Sequence, residues 1–264
     1  ALDTPLRLHV KNYRPSLSYE SFVTVIREKA MQSRKRHPHN SNLRLCQGDT
    51  WRHRRIYSSD TQGLVEDYLL KIDQVIARAL EEHPRTFAIR VDLRYPGFFD
   101  ESAIKHDDIT CFFKSLKSQL EADARRKESE GKRVHPCTLR YVWAKEQSGS
   151  DHPHFHVILL LNRDRYNGLG DFTSPSHQDG LRGQAFNEPA LNLSGRIIRA
   201  WASALDLDDR DAQALVHFCQ DGCYRVNHND PEGLDALFER VSYLAKVETK
   251  RYGTGHRCFG SSQR

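Results

Sequence analysis

The chain reads as an α+β protein, with a central antiparallel sheet flanked by helices. Three observations lead there. Helical and strand periodicities interleave along the chain, two strand-like runs are joined by a short polar turn, and apolar content suffices for a core. Of 264 residues 38% are hydrophobic, which argues against global disorder. Leu64, Tyr68, Leu69, Ile72, Val75, Ile76 and Ala79 recur at helical spacing and predict a helix of about twenty residues ending before His83-Pro84. Thr86 to Arg94 is strand-like and closes at Tyr95-Pro96-Gly97. Ile109, Phe112, Phe113, Leu116 and Leu120 form the next amphipathic helix, which runs out in the charged stretch Arg125 to Arg133.

Thr138 to Glu146 and His154 to Leu161 are two further strands around the turn-rich segment Gln147 to Pro153, a natural antiparallel hairpin. A Gly/Asp/Ser-rich loop follows over roughly 167–190. Ile197, Ile198, Trp201, Ala204 and Leu205 then mark a helix. Ala214 to Phe218 and Cys223 to Val226 read as short strands about the turn Gln220-Asp221-Gly222, and a last helix is expected from about 233 to 250. The expected division is a basic, largely helical N-terminal region at 1–83 and the sheet domain at 84–264.

Lys and Arg number 40 against 35 Asp and Glu, a net charge of +5 that permits nucleic-acid binding without demanding it. Two basic knots stand out: Arg34, Lys35 and Arg36, then Trp51-Arg52-His53-Arg54-Arg55. They are either a solvated surface or phosphate contacts, with Trp51 available to stack on a base. The six Cys show no paired spacing and read as reduced thiols of a cytoplasmic protein. His217, Cys219, Cys223 and His228 form a zinc-like cluster whose spacing does not match paired zinc knuckles. No apolar run approaches a membrane span, and no signal-peptide pattern is present.

The chemistry-bearing motif is His154-Phe155-His156 at the start of a strand. Alternation puts both imidazoles on one face, where they can hold a divalent metal or merely be solvated. Glu146 ends the preceding strand, and a hairpin closed by Gln147 to Pro153 sets it opposite His154 on that face. One carboxylate and two imidazoles suit Mn²⁺ or Mg²⁺ bridging to phosphate, while Zn²⁺ or Co²⁺ would also bind. His152 is an alternative ligand. On the last helix Leu234, Leu237, Phe238, Val241, Leu244 and Ala245 make an apolar stripe. Tyr243 lies nearly opposite it, with Lys246 and Lys250 on its side. That layout is an ordinary amphipathic helix or a phenol flanked by cations. A free phenol titrates near about 10, so attack at neutral pH needs a cation and a polarised phosphate.

His154-Phe155-His156 before an apolar strand, with Tyr243-x-x-Lys246 downstream, resembles the HUH endonuclease superfamily of rolling-circle initiators and relaxases. Phe87–Leu93, His135–Trp143, His154–Asn162, Ile197–Leu205, Leu215–Phe218 and Ser242–Lys250 are similar, more narrowly, to the YagK/YfjJ C-terminal-domain family of phage and prophage replication-type proteins. The likeness covers about residues 84 to 260. The resemblance implies a central strand pair carrying the two His, a Tyr helix beside it, and nicking of single-stranded or hairpin origin DNA through a 5′-phosphotyrosine. Host helicase and polymerase would be partners. Asp92 falls near the site with no assigned role. The next Tyr after Tyr243 is Tyr252, which favours a single-tyrosine scheme. Alternatives are an origin-binding protein without chemistry, a mobilisation relaxase, and a primase-like polymerase. The last would need an Asp-x-Asp strand, and Asp92 stands alone.

Overall fold

The computed structural model describes residues 35–58, 62–147, 151–170, 192–250, 252 and 257–263. Five strands form the main sheet: β6 (Arg85–Arg94), β7 (Arg140–Glu146), β8 (His154–Asn162), β9 (Val216–Asn227) and β10 (Phe259–Ser261). Ahead of them come the short strands β1 (Arg36–His37), β2 (Asn40–Cys46), β3 (Thr50–Trp51), β4 (Arg54–Arg55) and β5 (Leu64–Val65). The helices are α1 (Glu66–Glu82), α2 (Asp108–Ser129), α3 (Leu193–Leu205), α4 (Asp209–Gln213) and α5 (Pro231–Ser242), the last followed by a 3₁₀ turn at Tyr243–Ala245. The main sheet runs β10-β7-β8-β6-β9, every neighbouring pair antiparallel.

Both faces of the sheet are covered, which is why β8 reads as a continuous apolar run rather than an alternating one. On one face Phe87, Ile89, Val91, Leu93, Phe155, Val157, Leu159 and Leu161 pack under α2 and α3, with Phe112 and Trp201 fully buried between. On the other, Ala88, Val142, Ala144, Ile158, Leu160 and Val226 meet α1 and α5. Along this second face the register sets Ala88, Arg90, Asp92 and Arg94 of β6 beside Leu160, Ile158, His156 and His154 of β8. The face is therefore apolar at one end and polar at the other. The helices cover the apolar end, and α5 stops where the polar end begins.

Several expectations need correction. The division at 83/84 does not hold: residues 36–264 form one compact unit, and α1 supplies Leu69, Ile72, Val75, Ile76 and Ala79 to a core shared with the sheet. Nor are the described residues before α1 helical, since they form short strands. The charged stretch from Arg125 does not leave the helix at once. Asp123 pairs with Arg126 and Lys127, one turn on, and α2 continues to Ser129. The two short strands expected around residue 220 are a single edge strand, β9. Its extra residues 219–222 bulge out between the pairs Ile89–Cys223 and Val91–Phe218, with Asp221 at a φ of 52°.

The last helix is shorter than its apolar stripe suggested. It opens with Asp230 accepting from the Gly233 N–H at 2.9 Å and Pro231 at its first turn, and it ends at Ser242. After Ala245 the chain is captured by β5: Lys246 bridges Leu64, and the Val247 N–H donates to the Gly63 carbonyl at 3.2 Å. A Cβ on Gly63 would meet the Cys46 carbonyl oxygen at 2.6 Å, and its φ is 91°, so only glycine fits there. Strand capture, not helix propensity, decides the end. Among the described residues no helix is long and apolar enough to cross a membrane.

Candidate metal and nucleophile site

Register builds the polar end of the sheet. Glu146 lies opposite His154 and Ala144 opposite His156 across the β7–β8 pair, while Asp92 of β6 lies opposite His156 from the other side. Glu146, His154 and His156 have ligand atoms all within 4.8 Å of one another, and they form the sole such group of three among the described residues. His154 Nε2 and His156 Nε2 are 3.2 Å apart, and His156 Nε2 is 3.4 Å from Glu146 Oε2. Two ligands at about 2.0–2.1 Å from one ion, at angles of about 90–109°, would lie roughly 2.8–3.4 Å apart, so the donors fit a divalent ion. His152 stands outside that group and lines a cavity beside His154.

The second ring nitrogen of His156 is fixed by Asp92. Nδ1 lies 2.6 Å from Asp92 Oδ1, and Arg90 holds that carboxylate at 3.6 Å. A carboxylate on Nδ1 fixes the ring's orientation, so that Nε2 faces Glu146 and His154. Burial would lower the His156 pKa, but hydrogen bonds to Asp92 and Glu146 outweigh it and raise it. His154 is half-buried, and among the described residues no carboxylate is hydrogen-bonded to its second nitrogen. Burial and the neighbouring His156 lower its pKa, leaving it the more readily neutral of the two.

Glu146 is 2% exposed, and burial alone would raise its carboxyl pKa. His156, Lys250 and Thr249 reverse that and hold it far below the usual carboxylate range. Thr249 Oγ1 donates to Oε2 at 2.6 Å, Lys246 Nζ sits 2.9 Å from Oε2, and Lys250 Nζ donates to Oε1 at 3.2 Å. Lys250 is thus no flank of the phenol. Its side chain is wholly buried behind Glu146, because the chain beyond Ala245 is not helical.

Tyr243 opens the 3₁₀ turn at the end of α5 and stands half-buried over this cluster. Lys246 Nζ donates to its phenol oxygen and lies 4.0 Å from the ring centre, while the Arg90 guanidinium lies 4.8 Å from it. The His156 ring is 5.5 Å away, edge-on. One ammonium therefore bridges the phenol and the Glu146 carboxylate. Burial would lower the Lys246 pKa, but Tyr243 and Glu146 outweigh it, so the group stays a cation.

The basic knots do less at this site than their charge suggested. Arg34 lies outside the described residues. Lys35 is exposed, and Arg36 donates to the Ser41 carbonyl in its own turn at 2.9 Å. Trp51 is not a free stacking surface: it is buried at 9% exposure, stacked 5.8 Å from Phe238 of α5. Arg52 covers its ring. Arg54 pairs with Asp73 and Asp235, and Arg55 with Glu239, so carboxylates of α1 and α5 neutralise both. The zinc-like quartet does not assemble either. Cys219 and Cys223 sit at the two ends of the β9 bulge, and neither joins a metal-ligating group. Arg90 and Thr249 escaped the sequence reading. Arg90 shares a strand face with Asp92, which alternation could have shown, but Thr249 reaches Glu146 only through tertiary folding.

Fold and site together define an α+β protein on a five-stranded antiparallel sheet, with a His/His/Glu cluster beneath a tyrosine. The chain belongs to the YagK/YfjJ C-terminal domain family, whose model matches residues 47–262. It is 38% identical to the "Uncharacterized protein YagK" of Escherichia coli (strain K12) over 218 residues, 77% of this chain and 96% of that one. It is 32% identical to the "Uncharacterized protein YfjJ" of the same strain over 221 residues, 78% of this chain and 99% of that one. No solved structure matches the chain.

Proposed function

We propose that the protein is a single-strand DNA nicking-and-joining enzyme of the HUH type, acting through Tyr243. The observation that carries this reading is the Lys246 ammonium, bonded at once to the Tyr243 phenol and 2.9 Å from Glu146, a member of the His/His/Glu cluster. A structural tyrosine needs no such link, whereas a nucleophile must lie beside the group that binds its phosphate. Arg90 and Lys246 both stand against the Tyr243 ring, so the phenol lies among cations suited to a phosphodiester.

The Tyr243 oxygen attacks phosphorus, a phosphotyrosine bond forms, and the P–O3′ bond breaks. The 3′ oxygen leaves with the bonding pair and ends carrying the proton the phenol gave up. The ester keeps the bond, so a 3′-hydroxyl can attack it and restore both strand and phenol. Glu146, His154 and His156 would hold Mg²⁺ or Mn²⁺, which supplies Lewis-acid polarisation of a phosphate oxygen. Asp92 orients His156, and Lys246 places the phenol and offsets charge that develops on its oxygen.

Incubation with Mn²⁺ and labelled single-stranded DNA is expected to give a denaturation-resistant protein–DNA adduct. Tyr243→Phe should reduce it to background without changing the melting temperature. An adduct of undiminished yield with Tyr243→Phe, or cleavage indifferent to a chelator, would overturn the reading.

A further inference from the structure

Among the described residues, two large apolar side chains are exposed, Tyr57 at 37% and Phe98 at 79%. Tyr57 is the one beside the nucleophile, its ring 5.0 Å from that of Tyr243 at 81°. Its position is built. Trp51 and Ile56 are buried, and β3 and β4 turn through Arg52 and His53, both at positive φ. Trp51 stacks on Phe238, and Arg54 and Arg55 pair with Asp235 and Glu239, so this hairpin is clamped along α5. The chain leaving it reaches the end of α5, where the Tyr57 N–H donates at 2.7 Å to Ser242 Oγ. Ser242 is fully buried, donates in turn to the Glu239 carbonyl, and directly precedes Tyr243. The basic knot thus holds an aromatic ring at a set place beside the phenol, and leaves that ring partly open to solvent.

Resting on the nicking reading above, we propose that Tyr57 is the stacking platform for the unpaired base next to the bond Tyr243 attacks. An exposed ring with its backbone pinned gives stacking area with little ordering entropy left to lose. Only an unpaired base has a face free to meet it, because in a duplex both faces are covered by neighbours. The ring therefore selects single-stranded DNA by shape, independent of sequence. It also fixes the phosphate's distance from the phenol, since base and phosphate belong to one nucleotide. The stacking surface is the side chain six residues after Trp51, which is itself part of the clamp.

The test reads binding alone. Full-length protein carrying Tyr243→Phe is titrated against fluorescent single-stranded (dT)₂₀ and against a duplex of equal length. Adding Tyr57→Leu, which keeps apolar packing but removes the ring, should weaken (dT)₂₀ binding about tenfold or more, with duplex binding and melting temperature unchanged. Tyr57→Ser serves if the Leu variant does not melt cooperatively. Tyr57→Phe should restore parental affinity. Undiminished (dT)₂₀ binding by the folded ring-less variant overturns the proposal, as does a Phe variant as weak as Leu, which would assign the role to the hydroxyl. If the protein with Tyr243 intact forms no covalent adduct with Mn²⁺ and single-stranded DNA while Tyr57→Leu still weakens binding, stacking stands and the nicking reading falls. Adduct formation with ring-independent binding gives the reverse.

Discussion

At the scale of single residues, the His/His/Glu cluster is ordered by what holds each side chain rather than by the three side chains themselves. His154-Phe155-His156 alone says only that two imidazoles share a face. His156 becomes a directed donor because Asp92 takes Nδ1 at 2.6 Å, and Asp92 in turn is held by Arg90. Burial would raise the Asp92 pKa, and His156 and Arg90 together pull it below the ordinary aspartate value. Asp92→Asn keeps the size and removes the charge. It should weaken Mn²⁺ binding about 10- to 100-fold while leaving Glu146, His154 and His156 in place. Calorimetric titration of the folded variant checks it, and unchanged affinity would reduce Asp92 to packing. The Glu146–His154 pairing was legible in the sequence, since a hairpin's parity fixes which residues face each other. The Asp92–His156 pairing was not, because the two residues are 64 positions apart and nothing local sets the register of β6 against β8.

At the scale of elements, the helices over the outer face are joined by charge as well as by apolar contact. Asp123 of α2 is 3% exposed and sits among four cations. Arg196 of α3 lies at 2.9 Å, Lys127 at 2.9 Å, Arg126 at 3.0 Å and Arg165 at 3.7 Å. Burial would raise its carboxyl pKa, but Lys127, Arg196 and Arg126 outweigh that and lower it. A depressed carboxylate stabilises the fold above its unfolded pKa of about 3.9, and that contribution is lost as pH falls through the lower folded value. Asp123→Asn strands the buried Arg196 and Arg165, and should cost about 3 kcal/mol at pH 7. The deficit against the parent should shrink as pH drops below about 4. Denaturant melts at pH 7 and at lower pH test both statements, and a deficit constant with pH would refute the assignment. Periodicity located α2 and α3, yet their ends depended on partners: α2 ran on through its own ion pairs, and α5 stopped where β5 took the chain.

For the whole molecule, the segment before β6 is part of the fold, not an appendage. α1 closes one face of the sheet, and the β3–β4 hairpin is fastened along α5. A chain cut to residues 84–264 should therefore fail to melt cooperatively and should expose apolar surface to a reporter dye, whereas 36–264 should melt as one transition. A cooperative 84–264 fragment would restore the boundary drawn from sequence. That boundary was misplaced because the His83-Pro84 break looks like a linker, while the core contacts that cross it lie far away in the chain.

The His/His/Glu geometry at the hairpin follows from the sequence itself: strand alternation and a short turn are local rules, and they place three donors on one face without help from the rest of the chain. Strands β6, β7 and β8, helices α1, α2 and α3 and the antiparallel class of the sheet follow in the same way from periodicity, whereas β1 to β5 and β10 do not. Tertiary structure alone decided which residues serve that cluster. It brought Asp92 to His156, Lys250 and Thr249 to Glu146, Lys246 between Tyr243 and Glu146, and Tyr57 to the open side of the phenol. These are contacts between segments far apart in sequence, set by how helices and strands cover a shared core, and no local pattern encodes them.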